Sequence, residues 1–178
     1  GQCARTKKEM SEENTEETII PEVDKLNAER RGRLLSYVTI GWNSLEGSVA
    51  VGAGVVAGSI ALVGFGFDSI IEVSSGAIIF WRLASGEHRE RLALRLVGVS
   101  FIALAAYVAF DAVKSLATSE LPEASYIGIA IAALSLIVMP FLAHAKRKVA
   151  AKLNSRAMHA DSRQTDLCAY LSAILLGG

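Results

Sequence analysis

The feature that most constrains this chain is a series of long apolar stretches separated by short charged segments. Each stretch has the length of roughly 20 residues that an α-helix needs to cross the hydrocarbon core of a bilayer. The stretches cover approximately residues 34–53, 59–81, 92–113, 125–145 and 154–178. Backbone polar groups inside a bilayer must be bonded within the protein, which only helices and closed barrels achieve. We therefore expect an all-α polytopic transmembrane helix bundle with five visible spans.

The basic residues predict the orientation of these spans. They crowd into the segments before the first stretch, between the second and third, and between the fourth and fifth. The two remaining connections contain only Lys114, near Glu120 and Glu123. Short loops rich in Lys and Arg stay in the cytoplasm, so the N-terminus is predicted to be cytoplasmic. The basic residues counted are Arg30, Arg31, Arg33, Arg82, Arg89, Arg91, Lys146, Arg147, Lys148, Lys152 and Arg156.

The distribution of polar residues also predicts two parts of the chain. Residues 1–33 alternate acids and bases without an apolar run, which is typical of a solvated segment that cannot fold alone. We expect a polar cytosolic N-terminal tail over residues 1–33 and a transmembrane domain over residues 34–178. Such a protein is integral and multi-pass, in a plasma, inner or vesicle membrane. We expect neither enzymatic activity, nor a bound cofactor, nor a nucleic-acid partner.

Polar side chains interrupt three of the apolar stretches at helical spacing. The second stretch carries two acids four residues apart, which share one helix face. The fifth stretch carries a triplet at i, i+3 and i+7, and the first carries a pair at i and i+3, so each set also shares a face. These residues are Asp68 and Glu72, then Asp161, Gln164 and Cys168, and finally Asn43 and Glu46.

Carboxylates inside a bilayer cost several kcal/mol unless they are paired, hydrated or bound to a cation. Oxygen, amide and thiol groups that converge in a dry place suit a divalent metal ion. Metal binding to such groups releases protons, so proton antiport is the expected coupling. Other readings remain open, because Glu46 alone could be a protonated packing group and Cys168 a small buried hydrophobe. The Asp68 and Glu72 pair has no inexpensive structural role, and it favours the metal hypothesis. A membrane subunit that binds a partner without transporting anything is the alternative from another class.

Two of these segments resemble a known family. Residues 59–72, SIALVGFGFDSIIE, are similar to the second span of the cation diffusion facilitator family, which reads S-x-A-L and later a metal ligand, Ser, two residues and Asp. Residues 160–168, ADSRQTDLC, look like that family's A-D-x-x-H-x-x-x-D. The likeness is greatest to the branch of the family that contains the synaptic-vesicle zinc transporter.

The resemblance implies a homodimeric transporter that exports zinc from the cytoplasm in exchange for protons. It implies that Asp68 and Glu72 are metal ligands of the second span. In the fifth span Asp161, Gln164 and Cys168 stand at the positions of the family's Asp, His and Asp. The resemblance also implies a sixth span, which this sequence does not contain, and manganese, iron or cobalt remain alternatives to zinc.

Overall fold

The computed structural model describes the backbone of residues 2–118 and 125–177, and the side chains of residues 22–110, 113–114 and 125–177. Within these ranges it contains five α-helices, one 3-10 turn at Glu87–Arg89 and no strand. The predicted all-α bundle is therefore confirmed. The side chains of tail residues 1–21, and the connection that holds Glu120 and Glu123, lie outside the described part. The helices are α1 (Gln2–Ala57), α2 (Ile60–Ser85), α3 (Glu90–Thr118), α4 (Tyr126–Lys152) and α5 (Arg156–Gly177).

Helices α1 and α2 form a tight antiparallel hairpin. The turn between them needs Gly58, whose φ of 62° lies in the left-handed region that glycine enters without strain. Ser59 then caps α2, because its hydroxyl accepts a hydrogen bond from the backbone N of Leu62 at 3.3 Å. Along the hairpin a Cβ placed on Gly66 would lie only 3.1 Å from the carbonyl oxygen of Gly47. The small residues thus permit the close helix contact that is common between membrane helices.

Helix α4 is longer than the sequence indicated. The fourth span was predicted to end near residue 145, with residues 146–152 in a basic loop, but α4 continues to Lys152. The loop prediction was wrong because the segment continues the buried face of the helix. Met139, Leu142, Lys146 and Val149 are all buried, at spacings of three and four residues. The chain reverses only at residues 153–155, where Asn154 has a φ of 47°.

Three helices in the described part of the chain are long and apolar enough to cross a membrane: Ile60–Ser85, Glu87–Phe110 and Tyr126–Lys152. The middle one is the least covered by other helices. Its side chains Val99, Ile102 and Phe110 are between 62% and 71% exposed. Exposed apolar surface of this kind is typical of a membrane or protein contact. Helices α1 and α5 carry more polar residues in their central turns.

The interior is divided into three zones along the bundle. A first apolar cluster lies near the α4–α5 turn, and a second lies toward the α1–α2 turn. Between them lie buried polar residues of four helices: Asn43 and Glu46 of α1, residues 68–75 of α2, Lys146 of α4 and residues 161–168 of α5. We call this middle zone the polar layer. The first cluster includes Ala28, Ile79, Leu83, Val149 and Met158, and the second includes Ala50, Leu62, Phe65, Met139, Leu142 and Ala169.

Two polar contacts join the elements near the first cluster. The Glu90 carboxylate accepts hydrogen bonds from Arg82 Nε at 2.5 Å and from the backbone N of Ala157 at 2.7 Å. Lys25 Nζ lies 2.7 Å from Glu87 Oε1. Residues of α1 that precede residue 34 therefore reach the α2–α3 turn. The boundary between tail and membrane domain at residue 33 stays a prediction.

Candidate functional site

The polar layer contains all seven residues that the sequence predicted as metal ligands. Each is at most 1% exposed, although they come from three different helices. The spacing argument placed them on buried faces, and the structure has those faces pointing into the bundle. From α1 come Asn43 and Glu46, from α2 Asp68 and Glu72, and from α5 Asp161, Gln164 and Cys168.

One half of the polar layer is a closed hydrogen-bond network. The Thr165 hydroxyl donates to Glu72 Oε1 at 2.5 Å and accepts from Lys146 Nζ at 2.8 Å. Lys146 Nζ also lies 2.8 Å from Asp161 Oδ2 and 3.6 Å from Glu72 Oε1. On the far side of Asp161, the Ser75 hydroxyl donates to Oδ1 at 2.6 Å. The ammonium thus holds one carboxylate from α2 and one from α5.

The sequence did not predict Lys146 as part of this site. Its charge had been assigned to the cytosolic loop between the fourth and fifth spans, whereas the side chain is 1% exposed inside the bundle. The missed signal was its position four residues after Leu142, on the buried face of α4. Thr165 was also missed, although it follows Asp161 by four residues and therefore shares its face.

The other half of the polar layer contains carboxylates that lack such partners. In the described part of the chain, both carboxylate oxygens of Asp68 have no hydrogen-bond partner. Asp68 instead interacts electrostatically with Glu72 and Glu46, and with the Cys168 side chain. The thiol therefore faces the acids, not lipid. Oε2 of Glu72, turned away from the network, is unpartnered among the described residues as well.

Amide and carboxylate groups extend this half of the layer. The side-chain oxygen and nitrogen of Gln164, Oδ1 of Asn43 and both carboxylate oxygens of Glu46 lack hydrogen-bond partners within the described ranges. The Ser135 hydroxyl and the Trp42 indole lie close enough to interact with Glu46. Buried polar atoms are nearly always bonded to protein, water or an ion. Unpartnered oxygens from three helices could therefore be satisfied by water, by protons or by a bound cation.

The charges of the polar layer are unbalanced. Among the described residues four carboxylate side chains are buried, and Lys146 is the buried cation beside them. The other buried cation, Arg82, is bound to Glu90 instead. One ammonium can neutralise only part of the carboxylate charge, so the remainder must be protonated or compensated by another cation. In the described conformation no three His, Cys, Asp or Glu side chains are arranged to hold one metal ion.

A second ion pair lies at the edge of the site. The sequence suggested that Arg163 and Asp166 neutralise each other, and they are 3.9 Å apart. Asp166 Oδ2 is closer to Arg147 of α4, at 2.6 Å. These side chains are partly exposed and take no part in the polar layer.

Comparison with known proteins finds a distant relative. The chain is 26% identical over 140 residues to Transmembrane protein 163 of Xenopus laevis. The aligned region covers 76% of this chain and 50% of that protein. The chain thus spans about half the length of this relative. No protein-family model matches the chain. A relative named as a transmembrane protein, together with three helices able to span a bilayer, supports a membrane protein.

These comparisons overturn the resemblance to the cation diffusion facilitator family. The prediction of that family was wrong, because the chain matches no family model and a relative that it does match is Transmembrane protein 163. The likeness rested on two segments of 14 and nine residues, in which only a few polar positions stand out from an apolar background. Small residues and isolated acids recur in membrane helices for reasons of packing and burial. Such short patterns therefore carry little information about descent.

Proposed function

We propose that this protein moves a divalent metal cation across a membrane through the polar layer. The observation that carries the proposal is the set of buried, unpartnered oxygens on Asn43, Glu46, Asp68 and Gln164, together with Glu72 Oε2. Burial without partners is costly for each of these atoms, and a cation bound among them would repay that cost. Carboxylate and amide oxygens are common ligands of divalent cations.

Zinc is the leading candidate among the divalent ions. Cys168 is buried and interacts with Asp68 and Glu72, so a sulfur donor would stand beside the carboxylates. Thiolate ligands favour zinc over manganese, which prefers oxygen alone. Manganese, iron and cobalt remain the alternatives. A Cys168→Ser variant separates them, because it should weaken Zn²⁺ binding much more than Mn²⁺ binding.

The direction of transport follows from two further proposals. The basic ends of the helices would face the cytoplasm, and α1 and α5 would join the three apolar helices as spans, which makes five in all. A metal ion that leaves the cytoplasm through clustered carboxylates would be exchanged for protons, since the same oxygens bind either. An imposed pH gradient should then change the metal flux. The expected homodimer stays a prediction.

The test is Zn²⁺ flux into proteoliposomes that contain the purified chain and an internal zinc-sensitive dye. The Asp68→Asn variant should reduce the initial rate at least tenfold, because it removes a carboxylate whose two oxygens both lack hydrogen-bond partners among the described residues. Asp24→Asn is the matched control, since Asp24 is exposed outside the polar layer, and its flux should equal that of the wild type. Equal flux through Asp68→Asn and wild type would reject the proposal.

The same preparations test the non-transporting alternative. A scaffold should keep its bound partners when Asp68 and Glu72 are both replaced by Ala, and it should show no metal flux in any form. Metal flux that does not respond to the pH gradient would reject proton coupling but would not reject metal transport.

A further inference from the structure

The feature that stands out beyond the predicted ligands is a lysine at the centre of a membrane helix bundle. Lys146 is among the largest fully buried side chains in the described part of the protein. A buried ammonium is strongly unfavourable unless it is paired with charge and hydrogen-bonded. Both conditions are met here by Asp161, Glu72 and Thr165.

The position of this ammonium divides the polar layer into two halves. On one side it is bound to Asp161 and to Oε1 of Glu72. On the other side Asp68 and Glu46 have unpartnered carboxylate oxygens within the described ranges. Glu72 belongs to both halves, since Oε1 faces Lys146 while Oε2 is unpartnered among the described atoms. It is therefore the carboxylate that both the lysine and a bound ion would reach.

We propose that Lys146 is a tethered cation that competes with the transported ion for Glu72 and Asp161. When no metal is bound, the ammonium neutralises these two carboxylates. When a metal ion binds, the carboxylates turn toward it and the ammonium loses part of its pairing. The inference rests on the proposed function, and it assigns Lys146 a role in setting the affinity for the ion. Lys146 is a positioning residue in this scheme, because it acts through the carboxylates.

Simple electrostatics gives the direction of the effect. A fixed positive charge close to the ligands repels a divalent ion, and it also stabilises the empty site against which binding is measured. Both effects weaken binding. Tight binding would trap the ion in the bundle, so a competing internal cation also favours release on the far side.

The experiment measures Zn²⁺ affinity by calorimetry on the purified chain in detergent micelles. Lys146→Met removes the charge and keeps a similar length, and it should bind Zn²⁺ at least tenfold more tightly than wild type. Lys146→Arg restores the charge and should bind within about threefold of wild type. Lys152→Met is the matched control on the same helix, because Lys152 is exposed, and its affinity should not change.

A second variant guards against misfolding of Lys146→Met, which leaves two carboxylates without their cation. The double variant Lys146→Met/Asp161→Asn removes one charge of each sign and still frees Glu72. Its reference is the single variant Asp161→Asn, which lacks the same ligand charge. Competition predicts tighter Zn²⁺ binding in the double variant than in Asp161→Asn, whereas a purely structural role for Lys146 predicts equal or weaker binding.

The outcomes separate the two proposals. Suppose that the wild type binds Zn²⁺ in an Asp68-dependent way and that folded Lys146→Met binds it equally or more weakly. This result overturns the proposed competition by Lys146 and leaves the proposed function intact. If neither the wild type nor any Lys146 variant binds Zn²⁺ or Mn²⁺, the proposed function itself fails. Tighter binding by Lys146→Met and by Lys146→Arg alike would also overturn the inference, since the effect would not follow the charge.

Discussion

Glu90 offers the sharpest test of how the bundle is held together near the first apolar cluster. Its carboxylate binds Arg82 Nε at 2.5 Å, the Ser155 hydroxyl at 3.0 Å and the backbone N of Ala157 at 2.7 Å. One side chain therefore ties the end of α2 and the start of α3 to the first turn of α5. The Arg82 side chain is only 4% exposed, so it would remain as a buried charge if Glu90 were removed.

The magnitude follows from these contacts. Loss of one partner of a buried ion pair costs about 3–5 kcal/mol, and loss of a charged hydrogen bond to a helix N-terminus adds roughly 1 kcal/mol. The Glu90 side chain is 22% exposed, and solvent screening reduces the sum. We expect Glu90→Ala to lower the free energy of unfolding by about 3 kcal/mol. Glu90→Gln keeps one acceptor oxygen and loses the charge, so its free energy of unfolding should lie between those of the wild type and Glu90→Ala.

The assay is unfolding in detergent micelles by titration with sodium dodecyl sulfate, followed by far-ultraviolet circular dichroism. Glu87→Ala is the matched control, because Glu87 precedes Glu90 by three residues and pairs with Lys25 on the surface, with side chains 59% and 47% exposed. Exposed pairs contribute about 0–1 kcal/mol, so this variant should be nearly neutral. Equal losses from the two variants would refute the reasoning that burial decides the effect.

Three further predictions concern packing and the polar layer. Gly66→Ala should destabilise the bundle by about 1–2 kcal/mol in the same assay, because its Cβ would lie 2.5 Å from Val51 Cγ2. Gly98→Ala is the control and should be neutral or slightly stabilising, because its Cβ meets no described atom within 4 Å. Equal effects at both glycines would contradict the close α1–α2 contact. Asp68→Asn should raise the metal-free melting temperature by removing an unpartnered buried carboxylate. If the proposed site binds Zn²⁺, the ion should raise the melting temperature of the wild type but not that of Asp68→Asn, and an equal shift in both would count against Asp68 as a ligand. Ser75→Ala should lower the free energy of unfolding by about 1–2 kcal/mol, because it leaves the Asp161 carboxylate without the hydroxyl donor. An unchanged free energy of unfolding would show that water replaces the hydroxyl.

Much of the site could be predicted from the sequence because helical spacing is a local property. Asp68 and Glu72, four residues apart, had to share a face, and an acid in an apolar helix has to be buried against a partner or a ligand. The same reasoning placed Asp161 and Cys168 together on α5. These placements depend only on the 3.6-residue period, so they needed no knowledge of the neighbouring helices.

The role of Lys146 could not be predicted in that way. A basic residue near the end of an apolar stretch usually belongs to the cytosolic loop, and the positive-inside pattern supported that reading. The structure shows that α4 continues two turns beyond residue 145 and that carboxylates from α2 and α5 compensate the ammonium. Which helices supply this compensation is a tertiary property. The family resemblance failed for a related reason, since a short polar pattern records local burial better than it records ancestry.

The two apolar clusters separate the polar layer from both ends of the bundle. A hydrated ion entering from either end would have to part a dry layer of interdigitated side chains, which includes Ile79 and Met158 on one side and Phe65 and Leu142 on the other. If the protein transports a cation as proposed, an ion could reach the polar layer only after one of the two clusters separates. The proposed transport therefore requires the helices to move, as in a carrier, and does not fit a permanently open pore.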